Sequence, residues 1–188
     1  MKYYKLLKDY NNTSETGITC IEDYDWNNYD LSTGVFVEKW EKPLIFNYFL
    51  NTDEFIADYA LNDSLLFIIS PKFNALLSEF APVNMQMLSV ILKNQKNNLL
   101  IEDYVIANVL EIVDAINYEH STYDVFDLDD EQVYSFVKYA INRNGISGKH
   151  IFKLKGAEQP IFISEKVKEE IYRKGITGCD FLEVKIID

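Results

Sequence analysis

The chain has 188 residues, a formal net charge of −12 and a pI near 4.6; 48% of its residues are hydrophobic and 14% aromatic. This length fits a single domain, residues 1–188, and the apolar content is sufficient for a buried core, so extended disorder is not expected. The acidic balance argues against non-specific nucleic-acid binding, which requires Lys and Arg to neutralise phosphates. The N-terminus lacks a signal-peptide pattern and no apolar run is long enough to span a membrane, which predicts a cytoplasmic protein.

At the N-terminus, residues 3–7 are predicted to form the first strand. A polar segment rich in turn formers follows over residues 11–32, and the next apolar run covers residues 34–37. Trp26 and Trp40 flank this run, and their large rings are expected to close an edge of the core rather than to bind a ligand.

The clearest internal signal is a gapless similarity between residues 65–92 and residues 159–187, which are offset by 94 positions. In each segment a β-rich run leads to a serine that can cap a helix, Ser70 or Ser164. Alternating apolar residues then predict a half-buried strand. The aligned pairs are Ile69 with Ile163, Ser70 with Ser164, Lys72 with Lys166, Met87 with Phe181, and Val90 with Val184.

Both segments are therefore predicted to be strand–helix–strand units. Pro71 occupies the first position of one helix, where its missing N–H is tolerated, and Glu165 occupies the equivalent position of the other. The second helix is expected to end at Lys174 with Gly175 as its C-terminal cap.

Between the two units, residues 104–116 are rich in Val and Ile and are predicted to form a strand. Residues 131–142 are compatible with either a helix or a strand. A turn is expected around residues 144–148, followed by a strand over residues 150–156. The predicted fold class is α+β, a mixed or mainly antiparallel sheet with few short helices.

The charge is unevenly distributed. Residues 1–137 hold 8 basic and 23 acidic side chains, whereas residues 138–188 hold 10 basic and 7 acidic ones. No Lys or Arg occurs in residues 97–137. A solvated acidic face is the simplest interpretation, but a field of one sign can also steer a cationic partner. The candidate partner-binding residues in this run are Glu119, Asp124, Asp127, Asp129, Asp130 and Glu131.

Motifs for catalysis or for metal binding are not complete. The carboxylates near Asp127 lack the Gly at position six and the Glu at position twelve of an EF-hand loop. Glu119, His120 and Ser121 are adjacent in sequence, whereas catalytic triads are assembled from separate elements. Cys20 and Cys179 belong to no metal or redox spacing and are expected to be buried free thiols. No cofactor is predicted.

The C-terminal third carries a family resemblance. Residues 151–154 (IFKL), residues 163–165 (ISE) and residues 178–181 (GCDF) match a strand, a helix start and an ending of an immunity-protein family encoded beside toxins in bacterial polymorphic and contact-dependent toxin systems. Residues 69–80 and 108–121 are similar to the central region of that family. The resemblance covers about residues 65–184, and the residues before it match poorly apart from the early tryptophans.

This resemblance implies a non-enzymatic inhibitor that binds a cognate toxin, possessing no fixed catalytic residues. The leading hypothesis is therefore a cytoplasmic immunity protein that occludes its toxin, with an acidic surface that assists capture of a basic partner. Two alternatives stay open: a small hydrolase or transferase that uses the carboxylates of residues 114–131, and a protein-interaction domain unrelated to toxins.

Overall fold

The computed structural model describes residues 1–20, 28–80, 84–128 and 131–188. These residues form three α-helices, α1 (Asn28–Thr33), α2 (Pro71–Ser78) and α3 (Glu165–Arg173), and a 3-10 helix (Arg143–Ile146). The strands are β1 (Tyr3–Lys8), β2 (Thr19–Cys20), β3 (Leu44–Tyr48), β4 (Ile68–Ile69), β5 (Met85–Asn94), β6 (Leu100–Ile101), β7 (Val105–Val109), β8 (Ile112–Val113), β9 (Thr122–Leu128), β10 (Glu131–Lys138), β11 (Ala140–Asn142), β12 (Ile151–Leu154), β13 (Ala157–Ser164), β14 (Cys179–Glu183) and β15 (Lys185–Ile187).

Two larger sheets dominate the described part of the chain. One has the strand order β14-β1-β13-β12-β8, and the other has the order β2-β3-β5-β7-β4 with β6 paired to β5. Most neighbours are antiparallel, but β8 runs parallel to β12 and β3 runs parallel to β5. The predicted α+β class with mixed sheets and short helices is confirmed.

The two strand–helix–strand units are confirmed, and they share a topology. In the first unit β4 and β5 both pair antiparallel with β7, which lies between them. In the second unit β13 and β14 both pair antiparallel with β1. Each helix thus connects two strands that flank a third strand from elsewhere in the chain.

Three clusters of buried apolar side chains fill the spaces around these sheets. The first, here called the central cluster, lies between the sheets and includes Phe73 and Leu77 of α2 and Val167 and Ile171 of α3. A second covers the other face of the β3–β5–β7 sheet. The third covers the other face of β1, β12 and β13 and includes Tyr3, Phe152 and Phe162. The central strands of the β1 sheet are therefore buried on both faces.

The helix ends agree with the sequence except at one cap. Ser70 Oγ accepts a hydrogen bond from the Phe73 N–H at 3.2 Å, as predicted. Ser164 occupies the equivalent position, but its hydroxyl makes no capping bond and instead lies 2.8 Å from His150 Nδ1. Gly175, at φ +60°, follows the Lys174 cap, and the Ile176 N–H donates to the Ile171 carbonyl at 3.0 Å, so the predicted glycine cap is confirmed.

Several local predictions need correction or refinement. The polar segment expected to consist of turns contains α1. The ambiguous residues 131–142 are strands β10 and β11. Trp40 is partly buried and its Nε1 donates to the Ser89 carbonyl at 3.0 Å. Trp26 lies outside the described residues.

The two cysteines are free thiols, as expected, but both are only partly buried as residues. Cys179 packs against the central cluster, and desolvation raises the pKa of its thiol. A thiol held in its neutral form is a poor nucleophile. Cys179 therefore acts as a core residue.

Candidate protein-binding site

Strands β9 and β10 form a hairpin that is a sheet of its own. They pair antiparallel from Thr122↔Lys138 to Leu128↔Glu131, and within the described residues neither strand joins another sheet. A two-stranded hairpin is marginal on its own in water, so contacts at its base must hold it. Five of the six residues predicted to contact a partner belong to this hairpin or to the two positions between its strands.

One face of the hairpin, here called the aromatic face, packs on the body of the protein. Tyr123 lies opposite Phe136 in the register, and Val125 lies opposite Tyr134. The Tyr118 ring lies 5.8 Å from the Tyr123 ring and 5.4 Å from the Tyr134 ring, between centroids. Such edge-to-face contacts stabilise beyond simple burial.

The aromatic face continues into the core through Phe136 and Tyr139. Their rings stack at a centroid distance of 4.9 Å, and Tyr139 contacts the fully buried Phe162 edge-on at 5.1 Å. Phe162 in turn stacks with Phe152 at 5.9 Å. An unbroken chain of ring contacts thus links the hairpin to the third cluster.

Hydrogen bonds close the base of the hairpin. Ser121 Oγ donates to the Asn117 carbonyl at 2.7 Å and accepts from the Ala140 N–H at 3.0 Å. The His120 ring nitrogen Nδ1 lies 3.0 Å from Asn117 Oδ1. The Ser121 hydroxyl is therefore occupied by backbone groups, and these contacts give His120 and Ser121 a structural role, whereas Glu119 is exposed.

The opposite face, here called the open face, points to solvent. It carries Asp124 opposite Ser135 and Phe126 opposite Val133. Phe126 is 52% exposed and Val133 is 42% exposed. The register shifts between Phe136 and Lys138, and Val137, the extra residue of this bulge, is 60% exposed. Large apolar side chains grouped on one exposed face are typical of protein-contact surfaces.

The predicted partner-binding residues occupy different positions. Glu119 is exposed in the turn before β9, and Asp124 lies on the open face. Asp127 lies on the aromatic face, where its Oδ1 accepts from Gln132 Nε2 at 3.3 Å. Glu131 begins β10. Asp129 and Asp130 lie outside the described residues.

Two carboxylates of the acidic run that precede the hairpin form ion pairs with lysines. Glu111 forms an ion pair with Lys149 at 2.6 Å, and Asp114 lies 3.6 Å from Lys155 Nζ. Basic residues of the C-terminal part therefore neutralise carboxylates that precede the hairpin. Glu102 and Asp103 of the same run are exposed, so its exposed carboxylates are not confined to the hairpin.

Sequence reasoning missed Phe126 and Val133, because it followed charge in this region. The sequence does carry a signal, because β9 has apolar residues at both odd and even positions. The side chains of Tyr123 and Val125 lie on one face of the strand, and that of Phe126 lies on the other. A strand that is apolar on both faces within an acidic stretch indicates that one face needs a partner.

A groove with a volume of about 940 Å³ lies elsewhere on the molecule. It is lined by the end of β1, by residues 59–66 and by Tyr29 and Ser32 of α1. Of the described carboxylates between residues 114 and 128, none lines it. Nor do the described residues contain a group of three or more His, Cys, Asp or Glu side chains that could hold a metal ion. The carboxylates proposed for a hydrolase are thus not gathered around this groove.

A buried lysine lies next to this groove. Lys153 is 3% exposed, and its Nζ donates to the carbonyls of Ser32 at 2.5 Å and Glu158 at 2.7 Å. Desolvation lowers the pKa of this ammonium to about 8. The hydrogen-bond partners of the Lys153 ammonium are backbone carbonyls of α1 and β13, so its side chain links these two elements.

The described residues form a small α+β protein, and a comparison with family models assigns its family. Residues 8–186 match the immunity protein family Imm11, and the chain belongs to this family. The resemblance seen in the sequence is confirmed, but its extent was underestimated, because the match begins at residue 8 rather than near residue 65. No curated protein sequence matches significantly. Among the described helices, none has the length and apolar character needed to cross a bilayer.

Proposed function

We propose that this protein binds a cognate bacterial toxin domain and neutralises it by occlusion, without catalysis and without a cofactor. Membership of an immunity protein family supports the toxin as partner. Action in the cytoplasm of the producing cell, as one folded domain over residues 1–188, is part of the same proposal.

The observation that carries the proposal is the β9–β10 hairpin. It stands outside both larger sheets, and no Lys or Arg occurs between Asn97 and Val137. Glu119, Asp124, Asp127, Asp129, Asp130 and Glu131 all fall in or beside it. We propose that these carboxylates attract Lys and Arg on the toxin and speed its capture.

The test is the association rate with the toxin domain encoded beside the gene, in inactive form, for the wild type and for a variant with Asp127→Asn, Asp129→Asn and Asp130→Asn. We expect capture to slow by about 3-fold to 10-fold at low salt. The difference should shrink as the Debye length falls from about 30 Å at 0.01 M to about 8 Å at 0.15 M salt. Dissociation should change little.

A matched control removes the same charge elsewhere, through Glu38→Gln, Glu41→Gln and Asp53→Asn. These three exposed residues belong to the segments before and after β3. Equal slowing in both variants would show that only total charge matters, and the hairpin would lose its assigned part in capture. Absence of any complex with the wild type would overturn the immunity function itself.

A further inference from the structure

The two faces of the β9–β10 hairpin differ in whether their apolar side chains contact the rest of the protein. On the aromatic face, Tyr123, Tyr134 and Phe136 each contact the Tyr118 ring. On the open face, Phe126 and Val133 lie side by side and are half exposed. One face of the hairpin therefore packs on the body of the protein, and the apolar pair on the other face stays exposed to solvent.

We infer that the open face is the surface that retains the toxin after capture, with Phe126 and Val133 as its apolar anchor. This inference rests on the proposed function. It assigns the two kinds of residue different tasks: the carboxylates raise the association rate, and the apolar pair sets the dissociation rate. The matching surface on the toxin is an apolar depression rimmed by Lys or Arg.

Charge complementarity selects this occupant over a second copy of the chain. From Thr122 to Val137 the sequence holds Asp124, Asp127, Asp129, Asp130 and Glu131 and no basic residue. A second copy meeting the first through this hairpin would bring like charges together, which is unfavourable. A basic partner places cations beside Asp124 on the same face as the apolar pair.

The anchored face explains why so small a patch can hold a partner. Ring contacts from Tyr118 through Phe136 and Tyr139 to Phe162 fix the hairpin before binding. Little conformational freedom is then lost when Phe126 and Val133 become buried. The bulge at Val137 adds a third exposed apolar side chain near the base.

The hairpin offers a matched pair of valines for the test. Val133 lies on the open face and is 42% exposed, whereas Val125 lies on the aromatic face and is 46% exposed. Dissociation of the inactive toxin domain from the full-length protein is measured for Val133→Ala and Val125→Ala. The same measurement compares Phe126→Ala with Phe36→Ala, an exposed phenylalanine outside the hairpin.

We expect Phe126→Ala to raise the dissociation rate by about 10-fold to 100-fold and Val133→Ala by about 3-fold to 10-fold. Val125→Ala and Phe36→Ala should change it by less than about 2-fold. Association rates should stay within about 2-fold of wild type in all four variants. Thermal melting of each variant establishes that the fold is intact.

Three results would overturn the inference. Equal dissociation rates for Val133→Ala and Val125→Ala, with wild-type binding intact, would place the anchor elsewhere while leaving the immunity function standing. A mass that doubles with concentration in the absence of toxin, and that Phe126→Ala restores to the monomer, would make the open face a self-association surface. If Phe126→Ala lowers the melting temperature as much as a core substitution does, its ring is structural.

Discussion

The two strand–helix–strand units have the same topology, but different sets of polar contacts connect them to the rest of the molecule. In the first unit the Ser70 hydroxyl donates to Asp58 Oδ1 at 2.5 Å, and Asp58 Oδ2 also accepts from the Thr177 N–H at 3.0 Å. In the second unit Lys153 donates to the carbonyls of Glu158 and Gln159 in β13. The Asp58 carboxylate thus bonds to both units, at Ser70 and at Thr177, whereas among the described residues the Lys153 ammonium bonds to the second unit and not to the first.

This difference shows what internal similarity in a sequence preserves. Apolar positions and helix starts coincide in the two units because both must cover the same central cluster. The polar contacts do not coincide, because each depends on a partner from another segment, such as Asp58 or Ser32. Three sets of substitutions test this division between the shared core and the separate polar contacts.

The largest effect is expected at the aligned core positions Phe73 and Val167. Both are 0% exposed and both belong to the central cluster. Phe73→Ala should cost about 3–5 kcal/mol of unfolding free energy, because it leaves a large cavity. Val167→Ala removes only two methyl groups and should cost about 2 kcal/mol.

Urea denaturation of both variants measures this pair. We expect one cooperative transition in each case, since both side chains belong to one cluster shared by the two units. Separate transitions for the two units would contradict the proposed single domain.

The second effect is a pH dependence caused by Lys153. Burial lowers the pKa of its ammonium to about 8 in the folded protein, whereas an unfolded lysine titrates at about 10.4. Between these values the unfolded chain binds a proton that the folded chain has released, so the unfolding free energy should rise with pH. The full window corresponds to about 3 kcal/mol.

The control for this prediction is Lys153→Met, which keeps the length of the side chain and removes its titration. Unfolding by urea at pH 7, 8.5, 9.5 and 10 gives the difference between wild type and variant, in which the titration of other groups cancels. That difference should move in favour of the wild type as pH rises. Parallel pH profiles would show that Lys153 keeps an ordinary pKa.

Much of the fold could be predicted from the sequence, and the reason lies in local signals. Ser70 with Pro71, and Lys174 with Gly175, encode helix ends within a few residues, and the structure places both there. The alternation around Leu88 and Val90 likewise encodes β5, where both side chains are buried. Each of these signals acts through neighbours in the chain.

The features that escaped prediction depend on distant partners. α1 lies in a polar segment, but Lys153 reaches the carbonyl of Ser32 across 121 positions of sequence. The loss of the cap at Ser164 follows from its hydrogen bond to His150. The open face of the hairpin became visible only when the register placed Phe126 beside Val133. A charge pattern pointed to this region without distinguishing its two faces.

The smallest effect is expected at the two aligned serines, and it tests whether equivalent positions carry equivalent energies. Ser70→Ala removes the acceptor for the Phe73 N–H and the donor to Asp58, and leaves a buried N–H without its bond. The cost should be about 1–2 kcal/mol. Ser164→Ala removes only the bond to His150, and the Glu165 N–H keeps its bond to the Lys2 carbonyl at 2.9 Å. Its cost should stay below about 1 kcal/mol.

A double-mutant cycle of Ser70→Ala with Asp58→Ala separates the two roles of Ser70. If the bond to Asp58 supplies much of the cost, the two changes together should destabilise by less than the sum of their separate effects. Strict additivity would assign the whole cost to the cap on the Phe73 N–H. Equal costs for Ser70→Ala and Ser164→Ala would mean that the serines act through a property both retain, such as their extended backbone before the helix, and the contrast between the two sets of polar contacts would not extend to the helix starts.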